Sequence, residues 1–306
     1  MPIPQEFSCS CETSLGWAFG CSRRGASHLH AQKSCEDAYA VWSGSLGATP
    51  ALAIAVADGH GDVRHDQSQS GAGIAVHAAL EEIMLFCRIH LPEPGHVELC
   101  ADFKTAFPRR ITRRWREMVE EDAGRRGIGA GTADHPDDPL PVRYGTTLIV
   151  ALVLSDAILL GQIGDGDLLL LRHDGVIEAP LPKDPALTGK ETHSLSSKDA
   201  HLLWRTATLD RDAGGVLIAA TDGVSDSFGG SDSEEFLVFI RSLVGRVRTY
   251  GIENVARAMA GWLDRYSVIA SGDDMTLVYA TIHPSRAPDQ PVTPREEPIS
   301  KPSEGW

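Results

Sequence analysis

The chain has 306 residues, 42% of them hydrophobic, which is material for one large domain or two ordinary ones around a sizeable core. A formal net charge of −14 argues against broad binding to nucleic acid or anionic membranes, and suits a protein that gathers carboxylates around cations. The opening MPIPQEFSCSCETS lacks the basic start and apolar centre of a secretory signal. The longest apolar region, 146–171, is broken by Asp156, Asp165 and Asp167, so no run of the ~20 apolar residues of a membrane span is present. Six cysteines, at 9, 11, 21, 35, 87 and 100, carry no CxxC pattern and read as reduced thiols of a cytoplasmic protein.

In chain order, residues 1–14 are polar and predict a flexible N-terminus. Short aliphatic runs predict strands at 38–43, 51–57, 146–154, 157–163, 167–172, 215–221 and 275–282. The links within 146–172 are too short for parallel crossovers and predict an antiparallel meander. Helical spacing of apolar residues predicts helices at 71–90, at 109–124 after Pro108, at 233–247 behind a Ser231-to-Glu234 capping signal, and at 252–268. The basic run Arg109, Arg110, Arg113, Arg114 and Arg116 reads as a solvated helix face. Segment 123–144 reads as a surface loop, since its glycines follow no strand and open no helix. From 284 to 306 six prolines punctuate a polar tail that cannot build a core and is expected to be disordered. The ordered unit is thus 15–283, an α/β (α+β) chain in which strand clusters alternate with helix pairs. It is expected to fold as a sheet sandwich with helices packed outside.

Carboxylates recur where these strands start or stop. Glu36 and Asp37 precede the strand at 38; Asp58 follows the run AIAVA in AIAVADGHGD; Asp165 sits in the turn before 167. Asp222 follows VLIAAT, and Asp273 with Asp274 precedes MTLVYATI. One such acid is an ordinary turn residue, but five separate strand ends are a pattern. Unpaired carboxylates brought together away from water repel one another. Hard divalent ions such as Mg or Mn relieve that repulsion through all-oxygen ligation. Two such ions would activate a water and neutralise charge on a phosphoryl group, which points to hydrolysis of a phosphate ester.

Taken in order, AVADGHGD, YGTTLIVALV, IGDGDLLLL, LIAATDGVSD and SGDDMTLV, behind the opening block GASHLHAQKSCEDAYAV, resemble the motif series of the metal-dependent Ser/Thr protein phosphatases, the protein phosphatase 2C (PPM) family, in the style of its bacterial members. The resemblance runs from about Leu15 to His283. It implies a central sandwich of two antiparallel β-sheets flanked by pairs of α-helices, with the metals in a cleft at one end. It also implies two divalent ions (Mn or Mg), a third and weaker one in some members, and attack of a metal-bridging hydroxide on phosphoserine or phosphothreonine. Carried over residue by residue, Asp58 would bridge the two metals with the Gly59 carbonyl as a neighbouring ligand. Asp222 and Asp273 would complete the first metal's set, Glu36 and Asp37 would act directly or through waters, and Asp165 would help hold the third ion. His60 matches the imidazole that protonates the leaving oxygen. The partners implied are phosphorylated proteins, the products of a Ser/Thr kinase in a signalling pathway, and the enzyme is expected to be a monomer.

The pattern departs in two places. Where eukaryotic members carry a phosphate-binding Arg, this chain has Gln32 with Lys33 beside it; Lys33, Arg23 and Arg24 are the candidate replacements. The flap expected at 173–214 lacks the Asp-His-Lys-Pro signature of animal members. These departures keep two other readings open, a catalytically weak phosphatase-like binding module and a small-molecule phosphoesterase. Thr146 and Thr147 read as structural, and Asp62 as a turn residue.

Overall fold

The computed structural model describes residues 9–46, 49–90, 96–181 and 192–284. Among the described residues eleven strands form two antiparallel sheets. They are β1 (Cys9–Thr13), β2 (Gly16–Arg23), β3 (Ala38–Leu46), β4 (Thr49–Ala57), β5 (Leu148–Val153), β6 (Ala157–Ile163), β7 (Asp167–Leu171), β8 (Ile177–Glu178), β9 (Arg205–Asp210), β10 (Val216–Ala220) and β11 (Met275–Ile282). One sheet has the order β1-β2-β11-β10-β7-β8, the other β3-β4-β5-β6-β9. The helices are α1 (Ala26–His30), α2 (Ser68–His90), α3 (His96–Thr105), α4 (Phe107–Arg126), α5 (Leu140–Arg143), α6 (Asp222–Asp226), α7 (Glu234–Tyr250) and α8 (Ile252–Ile269).

Three apolar layers hold this sandwich together. Leu52, Ile54, Ile149, Leu160, Leu217 and Val278 fill the space between the sheets. Ala75, Ile83, Phe86, Phe107 and Trp115 pack α2, α3 and α4 on the β3–β6 side. Phe236, Ile240, Met259 and Leu263 pack α7 and α8 on the other sheet. Strands β5 and β6 are therefore covered on both faces and buried at every position, which is why their sequences are continuous apolar runs and not alternating ones.

The structure corrects several sequence expectations. The stretch 146–172 is not one meander. β5 and β6 pair in one sheet, but the turn Gly164–Gly166 passes to the other sheet, where β7 pairs with β10. Residues 9–13, expected to be loose, form β1 against β2. β2 went unrecognised because Gly16, Gly20 and Ser22 dilute its apolar signal, yet it pairs with β11 along its whole length. α3 was missed, and α4 begins at Phe107 with Pro108 in its first turn, where proline's missing N–H costs nothing. The cap of α7 is Ser233, whose Oγ accepts the Phe236 N–H at 3.1 Å, and not Ser231. Within the basic run of α4, Arg109 and Arg113 are exposed as read, but three arginines are tied up: Arg110 grips Asp102 of α3, Arg114 pairs with Glu81 of α2, and Arg116 donates to the Ser197 carbonyl. Asp62 is a turn residue as read, accepting the Arg64 N–H at 2.7 Å. Among the described residues Cys21, Cys87 and Cys100 are free thiols. Among the described residues no helix is long and apolar enough to cross a membrane. The proline-rich tail lies, from 285 onward, outside the described residues.

Candidate active site

The acids picked out in the sequence sit at strand ends of both sheets. Asp58 ends β4, and its backbone is fixed by two buried threonines. Its N–H donates to Thr147 Oγ1 at 3.1 Å, its carbonyl accepts from the Thr147 N–H at 2.8 Å, and Thr146 Oγ1 donates to the same carbonyl at 2.8 Å. Thr146 and Thr147 thus have the structural role read for them. The next residue, Gly59, bridges to Thr146, and its N–H donates to the Glu36 carbonyl at 3.1 Å. A Cβ on Gly59 would come within 2.7 Å of that carbonyl and 2.9 Å of Ser68, so only glycine lets the chain pass.

Asp37 enters from β3 and is 1% exposed. Thr221 Oγ1 donates to its Oδ2 at 2.8 Å, and the Thr276 hydroxyl stands beside it. Asp222 follows Thr221 as the first residue of α6, and its carboxylate meets that of Asp58. Burial raises both carboxyls, Asp58 well above the carboxylate range and Asp222 to about 6. Asp37 adds to the rise at Asp58, and Asp165 to the rise at Asp222. Asp273 is exposed at the start of β11 and acts on Asp37, Asp58 and Asp222 through its charge. Asp226, one helical turn after Asp222, faces Asp273 and Asp165. It lay outside the pattern because it is on a helix, although the spacing of four within TDGVSD carried the signal.

Glu36 belongs to a neighbouring group. Ser68 Oγ donates to its Oε1 at 3.0 Å, and His28 Nε2 stands 3.7 Å from its Oε2. Asp274, 4% exposed, is consumed by structure: Oδ1 accepts the Gly25 N–H and Oδ2 the Glu36 N–H, each at 2.6 Å, with His28 Nδ1 at 2.9 Å. That contact raises the His28 pKa. Of the candidate cations, Arg23 is held by Asp264 at 2.6 and 3.0 Å, and Arg24 donates to the Lys33 carbonyl. Lys33 reaches the DGHG turn, where its Nζ donates to the Gly61 carbonyl at 2.8 Å.

His60 lies on the far side of that turn. Its ring meets His65 edge-on, with centroids 4.9 Å apart, and a Cβ on Gly145 would strike both imidazoles. Burial, then the neighbouring His65, brings its pKa down to about 4, so the ring is neutral at neutral pH.

Among the described residues no group of three or more His, Cys, Asp or Glu side chains forms a ready-made cage for an ion. The fit to a cation rests on the chemistry of the donors. Asp37, Asp58 and Asp222 are buried or half-buried acids, each raised first by burial, with Asp37 and Asp222 adding to the rise at Asp58; Glu36 Oε2 is a buried carboxylate oxygen with no hydrogen-bond partner. An all-oxygen, anionic set of this kind suits a hard divalent ion.

The chain matches the family profile described as Protein phosphatase 2C over residues 24–264. This chain belongs to the protein phosphatase 2C family. It is accordingly a phosphoprotein phosphatase, and the two antiparallel sheets with flanking helices are the family's fold. Solved structures agree on that fold at low identity. The Ser/Thr phosphatase Stp1 from Staphylococcus aureus shares 16% identity with a TM-score of 0.59, covering 89% of this chain and 96% of Stp1. The catalytic domain of the Ser/Thr protein phosphatase PstP, in complex with 2 manganese ions, shares 20% with a TM-score of 0.52, covering 88% and 98%. RsbX in complex with magnesium shares 15% with a TM-score of 0.50, covering 90% and 100%. A comparison with curated protein sequences found no match.

Proposed function

We propose that this phosphatase removes phosphate from phosphoserine and phosphothreonine of proteins in a reaction that depends on two divalent ions, Mn or Mg. The single observation that carries this reading is the meeting of Asp58 with Asp222, two acids from strand ends of opposite sheets, with Asp37 near enough to act on Asp58 and Asp273 near enough to act on both. Asp58, the Gly59 carbonyl, Asp222 and Asp273 would hold the ions, with Asp37 and Glu36 beside them and Asp165 toward a third. Bound there, the ions supply Lewis-acid activation of water and of the phosphoryl group.

The rest of the chemistry falls to the chain itself. Thr221 keeps the Asp37 carboxylate oriented, and Thr146 with Thr147 keeps Asp58 at the strand end. Lys33 places a positive charge at the Gly61 carbonyl, where it can meet a phosphate dianion in place of the guanidinium other members use. His60 supplies a proton to the departing serine or threonine oxygen. Burial keeps the ring neutral at rest, and an incoming dianion draws its pKa upward. The substrates are products of a Ser/Thr kinase, and the enzyme acts as a monomer in the cytoplasm. The unit that does this is the phosphatase domain of 15–283, together with β1.

A panel of phosphopeptides, nucleotides and sugar phosphates, assayed with metal omission and add-back, tests this function. Mn- or Mg-dependent turnover of the phosphopeptides is expected. Preference for a nucleotide or sugar phosphate would replace the protein substrate with a small molecule.

A further inference from the structure

His28 stands between two carboxylates of unlike roles. Its Nδ1 is 2.9 Å from Asp274 Oδ2, and its Nε2 is 3.7 Å from Glu36 Oε2. The side chain is 14% exposed. The short helix that carries it cannot drift: the Ala26 N–H donates to Ser267 Oγ at 2.9 Å, the Ser27 N–H to the Gly272 carbonyl at 2.8 Å, and the Lys33 N–H returns to the His28 carbonyl at 2.9 Å.

Glu36 is fixed at two of three points without this ring. Its N–H sits on Asp274, and its Oε1 on Ser68. Only Oε2 is unsatisfied, and it is buried. The His28 ring and Gly61 flank that oxygen: a Cβ on Gly61 would come within 3.0 Å of Oε2 and 4.0 Å of His28 Nε2, and Lys33, bonded to the Gly61 carbonyl, adds its charge. At 3.7 Å the imidazole is too far to use up a lone pair through a hydrogen bond, yet near enough to stop the carboxylate from rotating.

We propose that His28 is a positioning residue for Glu36, holding Oε2 in the orientation that meets a divalent cation. This inference rests on the metal-dependent reading of the site. Outer partners that orient a ligand change metal affinity by about 10–100-fold when removed.

Two substitutions separate the two contacts of the ring. His28→Asn keeps an amide nitrogen near the position of Nδ1 and loses the contact with Glu36. His28→Gln reaches the position of Nε2 and loses the contact with Asp274. The full chain, without substrate and at one pH, is titrated with Mn2+ by calorimetry, and circular dichroism checks the fold of each variant. His28→Asn is expected to weaken Mn2+ binding by about tenfold, and His28→Gln to restore most of it. Wild-type affinity in His28→Asn would overturn the proposal and leave the metal site standing. Should His28→Asn fail to fold, His28→Gln decides alone, and a tenfold loss in that variant would overturn it. A wild-type chain that takes up no Mn2+ would overturn the metal reading, and the inference with it.

Discussion

Thr221 Oγ1 donates a 2.8 Å hydrogen bond to Asp37 Oδ2 across 184 positions of sequence, joining the end of β10 to the start of β3. The same hydroxyl accepts the Thr276 N–H at 3.1 Å, so one side chain ties three strand ends to one acid. Thr221→Val keeps the shape and removes both bonds. The expected result is a loss of about 1–3 kcal/mol in urea unfolding and a rise of about tenfold or more in the Mn2+ needed for half-maximal turnover. An unchanged metal requirement would show that Asp37 does not serve the ions.

The role given to His60 is tested by varying the leaving group. His60→Ala should slow a phosphoserine peptide by about a hundredfold or more, because an alkoxide leaves poorly without a proton. It should slow p-nitrophenyl phosphate far less, since the phenolate leaves unaided. Equal losses on both substrates would remove His60 from proton delivery.

Lys33 is exposed, so the binding role proposed for it predicts a modest effect. Lys33→Ala should raise KM for a phosphopeptide by about two- to fivefold, the range of an exposed ion pair, with little change in kcat. A fall in kcat with constant KM would contradict a role in binding.

Outside the site, Arg110 and His90 both hold Asp102. The bonds from Arg110 come first among the causes that keep the Asp102 carboxyl below its usual range. A depressed carboxyl pKa stabilises the fold above the unfolded value of about 4, and that contribution is lost as pH falls through the folded value. Asp102→Asn should therefore destabilise by about 1–3 kcal/mol at pH 7, with a difference from wild type that shrinks progressively below about pH 4. Urea unfolding of both proteins at pH 7 and pH 3 measures it; a constant difference would contradict the assignment.

The sandwich was legible because strands covered on both faces must be apolar throughout, as β5, β6 and β10 are. What escaped had weaker patterning. β2 carries two glycines and a serine, and the exchange between sheets at Gly164–Gly166 is a matter of three-dimensional pairing that no local spacing encodes. The acids could be read from their positions at strand ends. Their division could not: Asp273 and Asp274 look alike in sequence, yet one is exposed near the other acids and the other is buried under Gly25, Glu36 and His28. His28, Ser68, Thr221 and Thr276 also went unseen, because a hydroxyl or imidazole gains its role only from the carboxylate that folding brings to it.

On the proposed reading Asp58 and Asp222 act as one metal-holding pair. The most direct test is turnover of a phosphoserine peptide with Mn2+ by wild type, Asp58→Asn and Asp222→Asn, each confirmed as folded. Removing a ligand should cost more than removing its outer partner, so each variant is predicted to lose at least about a hundredfold in kcat/KM. Near wild-type turnover in either variant would contradict the account.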